Sequence, residues 1–455
     1  MREASPFPPQ HHLHPRWGDL NAFTYLDPGF KARIGRERST PAGLGDPGRP
    51  LAGYWLVIKD NMDVAGMPTT CGTPSLRHHV PKRSAPAVAL LCAAGAEIVG
   101  KANLHELAYG ITSNNAAFGP VRNVYDLSRI AGGSSGGTAA AIAAGVVHAG
   151  LGTDTGGSSR VPAALNGIVG FRPSVGRYPM EGVARVSPTR DVIGPMGRTV
   201  RDVALLDSVL SGRPQMRLEA VEIRGLRVGL PVEHFQESLH PDVERVLRHA
   251  IATLREAGVV LVEADLGNIA ALNAAVSFPV VLRETKTSLA AYLRDSGLEL
   301  TFEQVYAGVA SPDVKSILEQ VLLGAVSEEA YRQALQEDRP RLQRLYHDYF
   351  AQHRVEAVLF PTTPLPACTI EGSDEKVTLN GTRVPTFATY IRNTDPGSNA
   401  GIPGISLPAG FSLRPEAASK QLPVGIELDG PAGSDRRLLA IAAAIEGALT
   451  RNQST

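Results

Sequence analysis

The chain has 455 residues, with 45 basic and 45 acidic side chains and no formal net charge. This balance gives no long-range attraction to nucleic acid or to an anionic membrane surface, so we expect neither as a partner. Three cysteines cannot build a disulfide framework, which predicts a reducing compartment. Aromatic residues make up 5% of the chain while Gly and Pro number 46 and 34, which predicts an aliphatic core with many tight turns.

The start of the chain gives no targeting signal. Residues 1–17 contain charges and prolines but no apolar stretch, unlike a secretory signal. No run of about 18 uncharged apolar residues follows, so no segment is predicted to span a bilayer. We therefore expect a cytoplasmic protein. Residues 1–50 are rich in proline and glycine and are predicted to be a loop-rich N-terminal segment.

Strand and helix patterns alternate along the rest of the chain. In order, we predict a strand at 54–59, a helix at 87–94, a strand at 97–101, an alanine-rich helix at 138–151, a strand at 226–231, a helix at 242–257, a strand at 259–265, a mostly helical region at about 267–350, strands at 355–361, 404–410 and 422–428, and a helix at 435–449. This alternation predicts an α/β fold, with helices on both faces of a sheet. We expect a single domain over 1–455, in which region 267–350 covers one side.

Two glycine-serine loops lie close together, GGSSGG at 132–137 and GTDTGGSSR at 152–160. Such loops free backbone N–H groups to point at an anion, so they fit a phosphate cradle or an oxyanion hole beside a serine nucleophile. Neither loop has the lysine of a P-loop. The pattern G-x-S-x-G occurs at 132–136, but a nucleophile elbow needs an apolar strand directly before it, and none is predicted there.

With their neighbours, these loops resemble the amidase signature hydrolases. The likeness includes VIKDNMDVAGMPTTCGT at 57–73 and VGFRPS at 169–174, and it extends over most of the chain. Lys59, Ser134 and Ser158 are separated by 75 and 24 residues, spacings that resemble those of the lysine, bridging serine and nucleophile of that family.

Four further segments are most like the bacterial indoleacetamide and mandelamide hydrolases within that family. They are HELAYGITSNN at 105–115, VSPTRD at 186–191, NTDPGSNAGIPG at 393–404 and GSDRRLLAI at 433–441. The resemblance implies the amidase signature fold, a large mixed central sheet covered by helices on both faces.

The resemblance also implies the catalytic residues. Ser158 would be the nucleophile, Ser134 the bridge and Lys59 the base, which must be neutral and therefore buried. The oxyanion hole would consist of backbone N–H groups, from Thr155, Gly156, Gly157 and Ser158. Support for the loops is expected from Asp154, Arg160 and Gly133, with a cis peptide bond between Gly133 and Ser134.

Other roles for these residues remain open at this point. Lys59 alone also fits an exposed lysine at a strand end, and Ser134 fits a helix N-cap. Ser135 and Ser159 are rival reactive serines. A Ser-His-Asp triad is a formal alternative, with His234 or His353.

The implied reaction is hydrolysis of a small, neutral, arylacetamide-like amide to a carboxylic acid and ammonia or an amine, through an acyl-enzyme. We expect a small-molecule amide substrate, no cofactor, no metal, no nucleic acid or membrane as partner, and a monomer or homodimer. Anilides, esters and carbamates are alternative substrates. A further alternative is the amidase-type subunit of a glutamine-dependent amidotransferase. Candidate aromatic contacts for the acyl group are Phe278, Tyr306, Phe387 and Tyr390, although a core position fits each of them better.

Overall fold

A computed structural model describes residues 13–34, 48–213, 217–413 and 420–451, so the predicted segment 1–50 lies partly outside the described residues. The strands β1 to β13 are, in chain order, Phe23–Leu26, Trp55–Lys59, Glu97–Ala102, Ala149–Asp154, Val169–Arg172, Val192–Gly197, Arg227–Gly229, Val260–Val262, Ala357–Pro361, Lys376–Leu379, Thr382–Pro385, Gly404–Phe411 and Pro423–Asp429. The helices α1 to α14 are Pro28–Arg33, Pro86–Ala93, Gly136–Ala143, Arg160–Asn166, Val200–Leu210, Pro241–Glu256, Ile269–Asp295, Phe302–Gly308, Pro312–Leu322, Glu328–Gln333, Arg339–His353, Thr386–Ile391, Asp395–Ala400 and Asp435–Arg451.

Eleven of these strands form one mixed sheet, in the order β1-β3-β2-β4-β6-β5-β12-β13-β9-β7-β8. Strand β2 runs parallel to both of its neighbours, and β7 runs parallel to β8 and β9. The other pairs in the sheet are antiparallel. Strands β10 and β11 form a separate hairpin. The predicted α/β fold with a large mixed sheet is confirmed.

Helices cover both faces of this sheet because side chains alternate along each strand. On β4, Leu151 packs into an apolar cluster with residues of α2 and α5, while the neighbouring Gly150 lies against Thr138 of α3 on the opposite face. On β12, Ile405 and Leu407 pack with α6 and α14. Each fully buried Leu or Ile contributes about 1.5–3 kcal/mol to folding. The sheet is therefore the buried centre of the molecule.

The prediction of one helix over 138–151 is only partly right. Helix α3 ends at Ala143, and Gly145, with φ of 76°, closes it by donating to Ile142 O while Val146 donates to Ala141 O. This pattern is a Schellman motif, which terminates a helix. Strand β4 follows, and its last residues occupy the start of the glycine loop predicted at 152–160.

Several other elements were not predicted. Strand β1 lies inside the segment predicted as loop-rich, and it pairs with β3. Strand β6 has the sequence VIGPMG, whose glycines and proline disfavour a strand assignment because they are depleted in central strands. Strand β5 and helix α5 were also missed.

Helices α7 to α11 occupy most of the region predicted to be helical. Helix α7 is 27 residues long, contains Pro279, and packs against α9, α11 and α13. Within the described ranges, no helix is both long and apolar enough to cross a membrane.

Candidate active site

The site lies where the parallel strands β2 and β4 end. Strand β2 is buried along its whole length, and Lys59 is its last residue. Ser158 lies in the loop between β4 and α4, and Ser134 lies just before α3. Because neighbouring parallel strands end at the same edge of a sheet, Lys59 and the loop with Ser158 come to one place, where ligands of open α/β sheets commonly bind.

Lys59 is fully buried, with Nζ 2.7 Å from Ser134 Oγ and 2.8 Å from Thr153 Oγ1. Burial lowers its pKa from 10.5 to about 7, although the charges of Asp154 and Asp191 oppose this shift. A substantial fraction of Lys59 is therefore neutral near pH 7, and the neutral amine can accept a proton. An exposed lysine at a strand end is excluded.

The geometry also separates the four serines of the two loops. Ser158 lines a cavity, whereas the buried Ser135 Oγ donates to Thr153 O at 3.2 Å. Ser159 is fully buried and faces the backbone of Gly152. Ser134 is not the N-cap of α3, since that helix begins at Gly136 after Ser135. Ser158 is the serine of these loops best placed to meet a ligand.

Of the two histidines considered for a Ser-His-Asp triad, His234 bonds through Nε2 to Arg392 O at 3.0 Å, and His353 packs against Tyr349. Neither is among the residues that line the cavity with Ser158.

The turn before α3 depends on Gly133. The Gly133–Ser134 peptide bond is cis, as expected. A Cβ atom on Gly133 would lie 2.9 Å from both the carbonyl carbon of Ile111 and the nitrogen of Ser113. A side chain at this position would therefore push the two backbones apart.

Asp154 organises the loop that contains Ser158. Its Oδ1 accepts from Gly157 N at 2.8 Å and its Oδ2 from Ser159 N at 3.1 Å. Arg160 donates to both oxygens at 3.0 Å. Burial alone would raise the pKa of Asp154, but attraction to Arg160 and Arg172 outweighs it and holds the pKa well below its usual range. Asp154 is therefore ionised and holds the loop.

Gly157 differs from the other predicted oxyanion donors. Its N–H points to Asp154 rather than into the cavity. Its φ of 137° suits glycine, and a Cβ there would lie 2.2 Å from Thr394 Oγ1. The N–H groups of Thr155, Gly156 and Ser158 have no hydrogen-bond partner within the described part of the chain, and these residues line the cavity.

The cavity opens to solvent, and its walls are mainly apolar. Its residues come from the 108–111 segment, the Ser158 loop, the 186–190 segment, α7, α9, α12 and the start of α13. Of the predicted aromatic contacts, Phe278 and Phe387 line it, with ring centroids 6.2 Å apart. The other two candidates, Tyr306 and Tyr390, do not line it. Tyr390 is fully buried behind the wall, where its hydroxyl donates to Pro366 O at 2.8 Å.

Sequence reasoning did not assign a role to two charged residues of the cavity wall. Arg190 Nη2 and Asp395 Oδ1 are 2.6 Å apart and both side chains are buried. They lie in the segments VSPTRD and NTDPGSNAGIPG. A charged residue among small residues and prolines is the feature of these segments that could have indicated a functional role. Thr153, the second partner of Lys59, was also missed.

Comparison with known proteins identifies the family of this chain. The family model described as Amidase matches residues 19–439. An indoleacetamide hydrolase of Agrobacterium vitis is 46% identical over 433 residues, 94% of this chain and 90% of that protein. A mandelamide hydrolase of Pseudomonas putida is 41% identical over 452 residues, 96% of this chain and 86% of that protein.

Solved structures give the same result. The crystal structure of an amidase has a TM-score of 0.78 and 33% identity, covering 95% of this chain and 93% of that one. One component of the glutamyl-tRNA(Gln) amidotransferase of Thermotoga maritima has a TM-score of 0.73 and 28% identity, covering 94% and 88% of the two chains.

Proposed function

The chain belongs to the amidase family and is an amide-hydrolysing enzyme, and from this premise we propose that it cleaves small, neutral, arylacetamide-like amides through an acyl-enzyme on Ser158. The observation that carries the proposal is the buried hydrogen bond between Lys59 and Ser134, beside the cavity that Ser158 lines. The proposed products are a carboxylic acid and ammonia or an amine.

In the proposed first step, neutral Lys59 takes a proton from Ser134, which takes the proton of Ser158. Ser158 Oγ then bonds to the carbonyl carbon, and the carbonyl π electrons move to oxygen. We assign the stabilisation of this oxyanion to the N–H groups of Thr155, Gly156 and Ser158, whereas the predicted Gly157 donor keeps Asp154 in place.

In the second step the oxyanion collapses and the C–N bond breaks. The leaving nitrogen takes its proton from Ser134, which is reprotonated by Lys59, so the relay returns to its starting state. Water then repeats the sequence against the acyl-enzyme and releases the acid. No cofactor or metal has a part in this proposal.

The cavity supports a neutral aryl group next to the carboxamide. Phe278, Phe387 and Leu282 provide apolar walls, and the charges of Arg190 and Asp395 compensate each other. A charged acyl group would lose hydration there without gaining a free counter-charge, which is costly. The names of the two curated relatives, indoleacetamide and mandelamide hydrolase, support the same substrate class.

The main rival is an amidotransferase component, to which the chain is also structurally similar. Glutamine carries a charged α-amino and α-carboxylate group, which the apolar cavity does not favour. Purified chain alone, supplied with phenylacetamide, indole-3-acetamide, an anilide, an ester, a carbamate or glutamine, separates these functions. We expect turnover of the arylacetamides without a partner. Turnover of glutamine alone, or only with a partner, would favour the rival.

The nucleophile is tested with two adjacent serines. Ser158→Ala should abolish arylacetamide hydrolysis while the protein stays folded. Ser159→Ala is the matched control, because it removes a buried hydroxyl next to Ser158 that does not line the cavity. We expect its rate to stay within about threefold of wild type, since it leaves every reacting group in place. Full activity of Ser158→Ala would exclude the proposed nucleophile.

We also propose that residues 1–455 form a single domain, with α7 to α11 as a cover over the substrate side. The continuous sheet, whose strands extend from Phe23 to Asp429, supports this organisation. The proposal further includes a monomer or homodimer, with neither nucleic acid nor a membrane as partner. Cys71, Cys92 and Cys368 are free thiols, consistent with the proposed cytoplasmic location.

A further inference from the structure

Every backbone carbonyl from Asp154 to Ser158 accepts a hydrogen bond from a residue outside the segment 154–158. The bonds are Arg172 Nη1 to Asp154 O at 2.7 Å, Arg190 Nη2 to Thr155 O at 3.2 Å, Thr394 Oγ1 to Gly156 O at 2.6 Å, Val161 N to Gly157 O at 2.8 Å and Ser135 N to Ser158 O at 3.1 Å. The orientation of each peptide plane in the loop is thus set by a donor elsewhere.

A trans peptide is planar, so its C=O and N–H groups point in opposite directions. The Thr155–Gly156 bond is trans, since the cis bond of the described backbone is Gly133–Ser134. The hydrogen bond from Arg190 to Thr155 O therefore turns the N–H of Gly156 away from Arg190. Gly156 N–H is one of the three proposed oxyanion donors.

Arg190 is itself held at both ends of its guanidinium group. Its Nη2 pairs with Asp395 Oδ1 at 2.6 Å, and its Nη1 donates to Ser277 O of α7 at 2.9 Å. The residue is 1% exposed. A Cβ on Gly156 would lie 2.8 Å from Asp395 Oδ1 and 3.5 Å from Arg190 Nη2, so the ion pair packs directly against this peptide.

We infer that Arg190, fixed by Asp395, is a positioning residue that aligns the Gly156 N–H with the developing oxyanion. The inference rests on the proposed function, because it needs an acyl transfer at Ser158. Arg190 acts through the backbone and takes no part in proton transfer. Because Arg190 also donates to Ser277 O, its position depends on α7, which forms one wall of the cavity.

The test compares Arg190→Gln and Arg190→Lys with wild type. Loss of a whole oxyanion donor costs about 10²–10³ in kcat, so misalignment of one donor should cost about 10- to 100-fold in kcat for Arg190→Gln. Arg190→Lys keeps a positive charge beside Asp395 but has one nitrogen in place of the planar guanidinium group, so it cannot make all of the contacts of Arg190. We expect it to lose less kcat than Arg190→Gln. Active-site titration normalises each rate to competent sites, which removes any effect of partial misfolding.

Two inhibitors give the decisive readout. Benzylboronic acid adds to a serine Oγ and reproduces the tetrahedral state, whereas phenylacetate resembles the product. For Arg190→Gln the Ki of the boronate should rise about 10- to 100-fold more than the Ki of phenylacetate, because both ligands are anionic in the site and feel the lost charge alike, whereas the tetrahedral adduct also needs the aligned N–H group. A merely structural role would leave the ratio of the two Ki values at the wild-type value.

Arg339→Gln is the matched control. Arg339 is also a buried arginine, and it donates to Thr189 O at 2.6 Å and Asn399 O at 2.8 Å, but it does not contact the Ser158 loop. We expect its Ki ratio to equal that of wild type. If Arg190→Gln fails to fold, Arg190→Lys decides the question by the same ratio.

An unchanged Ki ratio in the folded Arg190 variants would overturn the inference, as would an equal change of the ratio in the Arg339 control. Failure of the proposed function has a different result, in which wild type does not hydrolyse arylacetamides or Ser158→Ala remains active.

Discussion

The dependence of kcat/KM on pH follows from the burial of Lys59. The fall of its pKa from 10.5 to about 7 corresponds to about 5 kcal/mol by which the folded protein disfavours the charged ammonium. The base works only when neutral, so activity should be lost as the pH falls through about 7. The neutral fraction is about one half at pH 7 and about 1% at pH 5, which predicts a roughly 100-fold decrease between the alkaline plateau and pH 5.

The assay measures kcat/KM for phenylacetamide between pH 5 and 9, since this substrate does not titrate in that range and kcat/KM reports groups of the free enzyme. Glu446 would titrate in the same pH range, because burial raises its pKa to about 7 as well, so its titration has to be distinguished from that of Lys59. It lies in α14 and does not line the cavity. Glu446→Gln should therefore leave the profile in place. A profile that is flat down to pH 5, or one that disappears in Glu446→Gln, would refute Lys59 as the base.

Two further predictions concern stability and substrate size. Lys59→Met should remove activity yet stabilise the protein near pH 7 by about 1–3 kcal/mol, because it removes a buried lysine whose pKa is lowered by folding, which costs free energy at any pH below the pKa of the unfolded chain. This gain should shrink as pH rises towards 10.5, where the unfolded lysine also becomes neutral. The matched Lys101→Met should instead destabilise by about 3–5 kcal/mol, since it leaves Asp60, 2.9 Å from Lys101 Nζ, buried without its partner. Denaturant unfolding at pH 7 and 10 checks both, and a loss of stability in Lys59→Met would contradict the burial argument. Phe387→Ala and Phe278→Ala should raise KM for phenylacetamide about 10-fold while changing kcat/KM for acetamide little, since only the aryl group reaches these rings; an equal effect on both amides would place the acyl group elsewhere.

The motif residues could be located from the sequence because their order and spacing resemble those of the amidase signature family, and their proposed roles come from that resemblance. Lys59, Ser134 and Ser158 stand in short, recognisable segments. Glycine at position 133 agrees with the structure, in which the backbone of residues 111–113 leaves no room for a side chain there. The secondary structure between them was less predictable. The segment Ala149–Asp154 consists mostly of small residues, which have little intrinsic preference for a strand. It forms a strand because the sheet buries it between helices on both faces.

The remaining features of the site depend on tertiary contacts. Arg190 and Asp395 are 205 residues apart, and no local pattern indicates that they meet beside Gly156. The direction of the Gly157 N–H is likewise set by the side chain of Asp154, which the Gly-rich sequence does not specify. Sequence therefore predicts which groups react, whereas the alignment of the loop around them requires the fold.

The most direct test of the proposed mechanism is to trap the acyl-enzyme. Wild type is mixed with 4-nitrophenyl phenylacetate, quenched within one turnover, and digested for mass spectrometry. We expect a burst of one nitrophenol per chain and one phenylacetyl group on Ser158 itself, located by fragmentation of its peptide, because residues 130–159 contain no Lys or Arg and all four serines of the two loops share one tryptic peptide. A phenylacetyl group on Ser134 or Ser159, or full turnover with no acylated serine, would contradict the mechanism.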